Sequence, residues 1–299
     1  MTSRPSRFSR LSELAGETVL ADEPLAPYTT YRLGGRADFM VIPRNDRAIS
    51  GIIRFCHEEE LPLHILGRGS NLLIADEGIR GVVINMAAAP RRITVSEDRV
   101  EISAGSSLAG LLGSAYSHSL GGLEELVAIP GTIGGAVITN AGACGVSFLD
   151  RAERISLINR QGEQVLLEGD IPSQYRSSPL RNEEIVTGVT LKLEERKPDE
   201  IREKMKALAL QRRAKIPYRE KQAGSVFKNP PGDYAGRLIE QAGLKGKRCG
   251  GARISSQHAN FIVNEGASSA EVTALIEIVR ERVWKRSGVK LELELHLWT

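Results

Sequence analysis

The feature that most constrains this chain is a concentration of glycine in the middle of the sequence. Seven glycines fall in the 25 residues from Gly121 to Gly145, out of 30 in the whole chain of 299. Glycine at this density leaves the backbone uncovered by side chains, which suits tight turns and a close approach of the main chain to a ligand. Residues 126–149 also carry no charge, but Pro130, Asn140 and five glycines interrupt them. A membrane-spanning helix would not choose that composition, so we predict a buried or ligand-lining loop.

The overall composition is that of a soluble globular protein, with 41% hydrophobic and 26% charged residues. The net charge of +3 gives no electrostatic case for nucleic-acid binding. Cys56, Cys144 and Cys249 are scattered, and no histidine stands at metal-ligand spacing from them. We therefore expect reduced thiols in a cytoplasmic protein and no metal site. Residues 1–10 lack the apolar run of a secretory signal, so a frayed terminus is expected there.

The hydrophobic patterns predict a mixture of helices and strands. Residues 46–60 have the apolar spacing of a helix, and short apolar strands follow at 61–66 and 82–84, which resembles a βαβ unit. The predicted strands further on are a hairpin around residues 92–104 and single strands near 155–158, 164–167, 185–193 and 259–263. The predicted helices cover 107–118, 199–213 and 233–242, and a last helix begins at a capping box formed by Ser268 and Glu271. This mixture indicates an α+β protein, with two parts that hold a ligand between them.

Two glycine segments have the character of phosphate-binding loops. The first is Gly67-Arg68-Gly69-Ser70-Asn71, which follows an apolar strand. It is not a Rossmann fingerprint, because Leu72 stands where the third glycine is needed. Its amides and the Ser70 and Asn71 side chains could still surround an anion, with a tight structural turn as the alternative. The second segment is 130–136 followed by 140–143, for which a close-packed glycine turn is the alternative. Together the two favour a large phosphate-bearing ligand.

Three other positions offer side chains suited to acid–base or electrostatic work. Ser225 follows Gly224, but the Gly-x-Ser-x-Gly hydrolase motif is absent, and a turn serine is the alternative. Arg176 follows Tyr175 in a loop, where a solvated ion pair is the alternative. Residues 290–298 alternate between polar and apolar side chains, which predicts a strand with Glu292, Glu294 and His296 on one face. Glu294 is then an acid–base candidate if that face lines a cleft, and an ordinary solvated carboxylate if it does not.

These motifs, in this order, resemble the UDP-N-acetylenolpyruvoylglucosamine reductases, the MurB family of flavoenzymes in bacterial peptidoglycan synthesis. The resemblance begins at residues 28–35, continues through 67–73, 130–143, 175–176 and 224–230, and closes at Glu294. It implies an FAD-binding domain of the vanillyl-alcohol-oxidase type in two subdomains, residues 1–86 and 87–198. A smaller C-terminal α/β substrate domain follows at 199–299. Because no insertion separates Arg176 from the strand near Ile185, the chain is similar to the shorter branch, which lacks an extra substrate-capping loop.

The resemblance also assigns roles to individual residues. It makes Ser225, Arg176 and Glu294 catalytic and places Lys215, Asn229 and His258 at the substrate. The FAD pyrophosphate is expected in the two glycine segments, at the following positions: Gly67, Arg68, Gly69, Ser70, Asn71, Leu72, Pro130, Gly131, Thr132, Gly134, Gly135, Asn140 and Gly142. Cys144, Leu293 and His296 depart from the family's usual tyrosine, proline and arginine.

The implied reaction is the NADPH-dependent reduction of the enolpyruvyl group of UDP-N-acetylglucosamine enolpyruvate to UDP-N-acetylmuramate. We expect the protein to be a monomer. Hydride arriving at C3 of that group places negative charge at C2, next to a carboxylate. Arg176 suits that carboxylate because it is permanently charged and bidentate. Ser225 would deliver the proton to C2, and Glu294 would orient or polarise the reacting centre. Two alternatives stay open at this point: another FAD-dependent oxidoreductase on the same fold, and a non-catalytic nucleotide-sugar binder.

Overall fold

The computed structural model describes residues 3–16, 18–180 and 184–299. Within these ranges the chain mixes helices and strands, as the α+β prediction requires. None of the described helices is both long and apolar enough to cross a membrane. The uncharged stretch 126–149 forms short turns, a short helix and a small hairpin instead.

The described residues form seven α-helices, several of them capped by the side chain before their first turn. Asn45 and Ser107 accept hydrogen bonds from the first turns of the helices that follow them. Ser268 and Glu271 form the predicted capping box, and Gly288 ends that helix with a left-handed φ of +69°. The helices are α1 Arg4–Ala15, α2 Asp46–Glu58, α3 Leu108–Ser117, α4 Ile133–Ile138, α5 Pro198–Lys215, α6 Ala235–Gln241 and α7 Ser269–Ser287.

The strands are mostly short. They are β1 Val19–Pro24, β2 Arg36–Val41, β3 Leu63–Leu66, β4 Leu72–Ile74, β5 Ile79–Asn85, β6 Ile93–Ser96, β7 Arg99–Ser103, β8 Leu120–Gly121, β9 Gly142–Ala143, β10 Val146–Ser147, β11 Ala152–Ile158, β12 Gln164–Glu168, β13 Ile185–Lys192, β14 Glu194–Glu195, β15 Arg248–Cys249, β16 Ala252–Ile254, β17 Ile262–Asn264 and β18 His296–Trp298.

The chain divides into two compact units. Unit 1 comprises the described residues of Met1–Asp22, Asp38–Gly67 and Arg80–Gln211, and unit 2 comprises Glu23–Ala37, Arg68–Ile79 and Arg212–Thr299. These units are not contiguous in sequence, whereas the domains predicted at 1–86, 87–198 and 199–299 are. Packing alone assigns no ligand to a segment, so the three-domain division stays a prediction.

Unit 1 is built on two sheets over one apolar core. It contains most of the four-stranded sheet β1-β2-β5-β3, in which β3 and β5 pair in parallel as a βαβ-like unit would. The second sheet, β12-β11-β13-β7-β6, is antiparallel throughout. Its β6–β7 pair is the predicted hairpin, and Glu97 in the turn has a φ of +52°. The core joins the apolar faces of α2, α3 and both sheets.

Unit 2 is smaller and packs helices α6 and α7 on the antiparallel sheet β15-β16-β17. Segment 28–35 of the family resemblance belongs to this core. Tyr31 is buried, its hydroxyl donates to Ile262 O at 2.9 Å, and Asn264 Nδ2 donates back to Tyr31 O at 2.8 Å. The removal of the phenol from water raises the pKa of Tyr31. This motif therefore fastens a distant N-terminal segment to the C-terminal core.

Two expectations about the chain ends are wrong. Residues 4–15 form α1 rather than a frayed terminus, because Leu11 and Ala15 are buried in the core of unit 1; Met1 and Thr2 lie outside the described residues. The terminal run 290–298 is not one strand either. The chain bends at Leu295, and only β18 beyond it is strand. The alternation over 290–298 therefore does not belong to a single strand.

Candidate active site

The predicted site residues fall in both units. Unit 1 holds Gly67, Pro130, Gly131, Thr132, Gly134, Gly135, Asn140, Gly142 and Arg176. Unit 2 holds Arg68, Gly69, Ser70, Asn71, Leu72, Lys215, Ser225, Asn229, His258 and Glu294. Within each unit, the structure brings several of these residues together across long stretches of sequence.

In unit 1, the two glycine segments meet. A Cβ added to Gly67 would lie 2.6 Å from Thr132 Oγ1, so only glycine permits this approach. Thr132 is itself buried and caps α4. In unit 2, Gly69 has a φ of +56°, and its carbonyl accepts from the Thr30 amide at 3.1 Å. The glycines here permit close packing and turning, and their place at the cofactor stays a prediction.

The second segment offers a bare surface rather than open amide donors. The amides of Ile133 and Gly134 donate to Ser106 O and Ala104 O, both at 2.9 Å, and the Gly135 amide donates to Thr132 Oγ1 at 3.3 Å. Gly135 is nevertheless exposed. Outside its own helix and neighbouring residues, a Cβ on Gly135 would meet only Thr132 Oγ1 among the described atoms, at 3.4 Å. A flat ligand can therefore lie directly on this backbone.

Arg176 is anchored to the same loop. Its Nη1 donates to Asn140 O at 3.2 Å and its Nη2 donates to Gly142 O at 2.8 Å. Arg176 has a φ of +50°, a left-handed conformation that costs energy in a residue with a side chain. The guanidinium also lies over the Tyr175 ring, 5.1 Å from its centroid. The two carbonyls thus fix one edge of the guanidinium.

In unit 2, the Ser225 segment is joined to the Glu294 segment. Glu294 N and Leu295 N both donate to Val226 O, at 2.9 and 3.2 Å, so two residues oppose one. Phe227 and Leu293 form an antiparallel bridge. Beyond the bend, β18 leaves this partner and pairs in parallel with β4. This change of partner is why the strand predicted over 290–298 is interrupted.

Asn71 lies at that change of partner. Its Nδ2 donates to Glu294 O at 3.0 Å, and its carbonyl accepts from His296 N at 3.1 Å. A Cβ on Gly224 would stand 3.9 Å from Asn71 Oδ1, so the Ser225 segment passes alongside. The prediction from sequence gave this side chain to the cofactor, whereas its amide hydrogens hold the Glu294 main chain here. Leu72, also predicted at the cofactor, is buried at the start of β4.

Asn260 is a positioning residue that the sequence analysis missed. Its Oδ1 accepts from Phe227 N at 3.0 Å, its Nδ2 donates to Phe227 O at 2.8 Å, and its carbonyl accepts from Val226 N at 2.9 Å. The side chain is buried, so these bonds fix the backbone directly after Ser225. An asparagine beside a short strand carries no sequence signal for that role.

We expect Asn260→Ala to lower the free energy of unfolding by about 1–3 kcal/mol, because the buried polar groups of Phe227 lose their partner. Urea titration of the purified protein measures this. Asn159→Ala removes a side chain that hydrogen-bonds in a partly exposed turn, where water can replace the lost partners, so it should cost about 1 kcal/mol or less. Equal losses at both positions would contradict the structural role of Asn260.

Lys215 and His258 are brought together at the end of α5. The neighbouring Gln257 Nε2 donates to the carbonyls of Arg213, Ala214 and Ile216 at 3.0–3.3 Å. Burial, with the Lys245 and Lys215 ammonium groups nearby, holds the pKa of His258 below its usual value. The ring is therefore neutral near pH 7, with Nδ1 accepting from Asn260 N at 3.2 Å and the proton on Nε2. Lys245 is a further cation here that the sequence analysis missed.

Asn229 is placed at the start of α6. Its Oδ1 accepts from the Ala235 amide at 3.0 Å, and the residue is exposed. Its place at the substrate stays a prediction.

Comparison with known proteins agrees with this arrangement. Residues 37–168 match the family described as FAD binding domain, and residues 216–298 match the UDP-N-acetylenolpyruvoylglucosamine reductase, C-terminal domain. The UDP-N-acetylenolpyruvoylglucosamine reductase of Moorella thermoacetica is 43% identical, over 96% of this chain and 98% of that protein. UDP-N-acetylenolpyruvoylglucosamine reductase 2 of Symbiobacterium thermophilum is also 43% identical, over 92% and 91%.

A solved structure supports the same assignment for the fold. The crystal structure of UDP-N-acetylenolpyruvylglucosamine reductase (MurB) from Thermus caldophilus superposes with a TM-score of 0.78 at 35% identity, and covers 94% of this chain and 98% of that one. Sequence and fold agree over nearly the full length. The chain therefore belongs to the UDP-N-acetylenolpyruvoylglucosamine reductase family.

Proposed function

We propose that this chain reduces the enolpyruvyl group of UDP-N-acetylglucosamine enolpyruvate to UDP-N-acetylmuramate, with FAD as cofactor and NADPH as hydride donor. Family membership supports the activity. The observation in the structure that carries the proposal is the junction of the Ser225 and Glu294 segments at Val226 O. The hydroxyl expected to deliver the proton and the carboxylate expected to orient the reacting centre thus lie on hydrogen-bonded neighbouring segments.

The residues of unit 1 fit a dinucleotide cofactor. Gly67 and Thr132 bring the two glycine segments into contact, and Gly135 leaves bare backbone open beside them. Gly67, Thr132 and Gly135 would hold FAD by close contact with the main chain, with Arg68, Gly69 and Ser70 continuing the first segment. FAD supplies the hydride-transfer chemistry when bound.

Each of the three assigned catalytic residues answers a separate need of the reaction. Arg176 binds the substrate carboxylate, where charge accumulates as the double bond is reduced, and its permanent charge suits that task. Ser225 holds the proton that C2 receives. A serine hydroxyl is a weak acid, so its contribution depends on accurate placement, which Asn260 provides through the Val226 and Phe227 backbone. Glu294 orients the developing centre.

Binding of the nucleotide portion falls to the polar cluster at the end of α5. Lys215 carries positive charge that suits a diphosphate, and the neutral His258 presents an Nε2–H donor; Lys245 lies nearby with its Nζ paired to Glu240 Oε1 at 2.7 Å. Asn229 supplies an amide at the start of α6. These assignments rest on the charge and hydrogen-bonding capacity of the side chains.

The proposal is tested by following the flavin absorbance of the purified protein in two steps. NADPH should bleach it under anaerobic conditions, and the enolpyruvyl sugar nucleotide should then restore it with formation of UDP-N-acetylmuramate. Bleaching without recovery would favour another FAD-dependent oxidoreductase. A colourless protein that binds the sugar nucleotide would favour a non-catalytic binder.

We expect Gly135→Val to fold and to lose most of its FAD. The new side chain projects into the open surface beside Thr132, where a cofactor lying on the main chain would collide with it. The apparent Kd for FAD should rise by about 10-fold or more, equivalent to about 1.4 kcal/mol. Fluorescence titration of the apoprotein with FAD measures this. Gly134 is unsuited to the test, since a Cβ there would lie 3.3 Å from Ala104 Cβ and disturb the fold as well.

Gly113→Val is the matched control. Gly113 is an exposed helical glycine in α3, and a Cβ there would meet no described atom within 4 Å beyond its own helix and neighbouring residues. It should leave the Kd for FAD within about twofold, which corresponds to about 0.4 kcal/mol. Unchanged FAD affinity in Gly135→Val would show that the cofactor does not lie on this surface.

Within this function, we place the reaction in the cytoplasm and the product in peptidoglycan precursor synthesis, hence in cell-wall growth, cell shape and division. The free thiols of Cys56, Cys144 and Cys249 suit a reducing compartment. We also propose that the chain acts as a monomer with its small-molecule substrates. Size-exclusion chromatography with light scattering measures that state.

A further inference from the structure

We propose that Asn140, which the sequence places among the cofactor ligands, is instead a positioning residue that orients Arg176 for the substrate carboxylate. The inference rests on the proposed function, since it assumes that Arg176 binds that carboxylate. It concerns a residue with no role in proton or hydride transfer. Three observations, all within unit 1, support it.

The first observation concerns the hydrogen-bond partners of the Asn140 side chain. The residue is fully buried. Its Nδ2 donates to Gln174 O at 2.8 Å and to Ser173 Oγ at 3.2 Å, and its Oδ1 accepts from Leu149 N at 3.1 Å. An asparagine amide has two N–H donors, and both point at protein acceptors here. The side chain is therefore committed to the segment that leads into Arg176, not to a phosphate.

The second observation is that the main chain of the same residue holds the arginine side chain. Asn140 O accepts from Arg176 Nη1 at 3.2 Å, and Gly142 O, two residues further on, accepts from Nη2 at 2.8 Å. Asn140 thus hydrogen-bonds to Ser173 and Gln174 through its side-chain amide and to the Arg176 guanidinium through its carbonyl. A shift of the 173–174 segment would therefore also shift the guanidinium, because one buried residue contacts both.

The third observation is backbone strain at Arg176, at one end of this connection. Asn140 has a φ of +39°, which asparagine adopts more readily than most residues, whereas Arg176 has a φ of +50° in the left-handed region that arginine seldom occupies. Such conformations persist only where the surroundings over-determine them, and they concentrate at functional sites. The hydrogen bonds of Asn140 are those surroundings. Without them the 173–177 turn can relax and carry the guanidinium away from its place.

The test uses Asn140→Gly in the FAD-loaded enzyme. Glycine adopts the positive φ without cost and keeps the carbonyl that faces Arg176, so only the side-chain bonds are removed. Calorimetry compares two ligands, UDP-N-acetylmuramate, which carries the carboxylate, and UDP-N-acetylglucosamine, which lacks it. Asn140→Gly should weaken the first by about 10-fold and leave the second within about twofold. A merely structural defect would weaken both.

Kinetics supply the second readout. Asn140→Gly should slow flavin reoxidation by the enolpyruvyl substrate about 10–100-fold, the cost of misplacing a catalytic group by an ångström, while reduction by NADPH keeps its rate. In an Arg176→Ala background the same substitution should change reoxidation by no more than about twofold, because there is no guanidinium left to misplace. Ser173→Ala removes one of the two acceptors of the Asn140 amide, at an exposed position, and should slow reoxidation by a smaller factor than Asn140→Gly.

Asn159→Gly is the matched control, because it deletes an asparagine that braces a different turn of unit 1, and it should leave all these quantities unchanged. Loss of FAD in Asn140→Gly with the carboxylate preference intact would overturn the proposal and restore Asn140 to the cofactor. Additive losses in the double variant would overturn it too. Failure of the proposed function is distinguishable, because Arg176→Ala would then leave reoxidation and the carboxylate preference as in the parent protein.

Discussion

Replacement of Ser225 by alanine should separate the two halves of the catalytic cycle. Reduction of the flavin by NADPH involves no proton at C2 of the substrate, so its rate should stay near that of the parent protein. Reoxidation by the enolpyruvyl substrate should slow by a factor of about 10²–10⁴, the range that a positioned general acid supplies. Stopped-flow absorbance of the flavin measures each half separately.

The structure indicates that Ser225→Ala will leave the fold intact. The hydroxyl is half-buried, while the backbone after it is held by Asn260 through Val226 and Phe227, whose bonds the substitution does not touch. Ser256→Ala removes a hydroxyl at an exposed position of the same unit and serves as the control. Equal slowing of both half-reactions in Ser225→Ala would refute the proton-donor role and point to a structural serine.

The elements with strong local signals were predictable from the sequence. Helix α2 begins at residue 46, where its apolar spacing predicts, and α7 begins at its predicted capping box, where the capping residues and the apolar stripe agree. Helix α1 was missed because its buried face amounts to Leu11 and Ala15 in a polar, serine- and arginine-rich segment. Its stability comes from packing in unit 1, which local sequence does not report.

Non-local pairing was the main source of error in the sequence analysis. Residues 290–298 alternate as one strand would, yet the chain changes partners at Leu295 from the 226–228 segment to β4. Periodicity identifies faces but not partners, so the break was invisible. The assignment of segments 23–37 and 68–79 to unit 2 has the same origin, since it depends on contacts with residues more than 130 positions away.

Residue type also proved a weak guide to the direction of a hydrogen bond. Asn71 was predicted as a side-chain donor to an anion, and the family resemblance placed both Asn71 and Asn140 at the cofactor. In the structure their side-chain amides donate to Glu294 O and to the Ser173–Gln174 segment. Each therefore holds a segment that contains or leads into a proposed catalytic residue. Residue type in a sequence therefore does not tell which partner a side-chain amide will have in the fold.

Glu294→Gln should abolish most substrate reduction while leaving the fold and the FAD content unchanged. The main-chain bonds of Glu294 to Val226 O and from Asn71 Nδ2 do not involve the carboxylate, so glutamine preserves them. Only the charge is lost. Single-turnover reoxidation of the pre-reduced enzyme should fall by a factor of about 10² or more, on the order of 2.7 kcal/mol of transition-state stabilisation. This measurement avoids any effect on NADPH binding.

Glu292 provides an internal control two residues away. Its side chain is 80% exposed and lies 3.9 Å from Lys228 Nζ, whereas Glu294 is half-buried beside the Ser225 segment. Glu292→Gln removes an equal charge from the same stretch of chain, and a surface ion pair is worth at most about 1 kcal/mol, so reoxidation should stay within several-fold of the parent rate. If Glu292→Gln and Glu294→Gln slow reoxidation equally, the effect comes from removing negative charge anywhere in this stretch and not from the Glu294 carboxylate in particular. An unchanged reoxidation rate in Glu294→Gln would show that the Glu294 carboxylate takes no part in the reaction. Ser225 would then have no assigned catalytic carboxylate on the neighbouring segment.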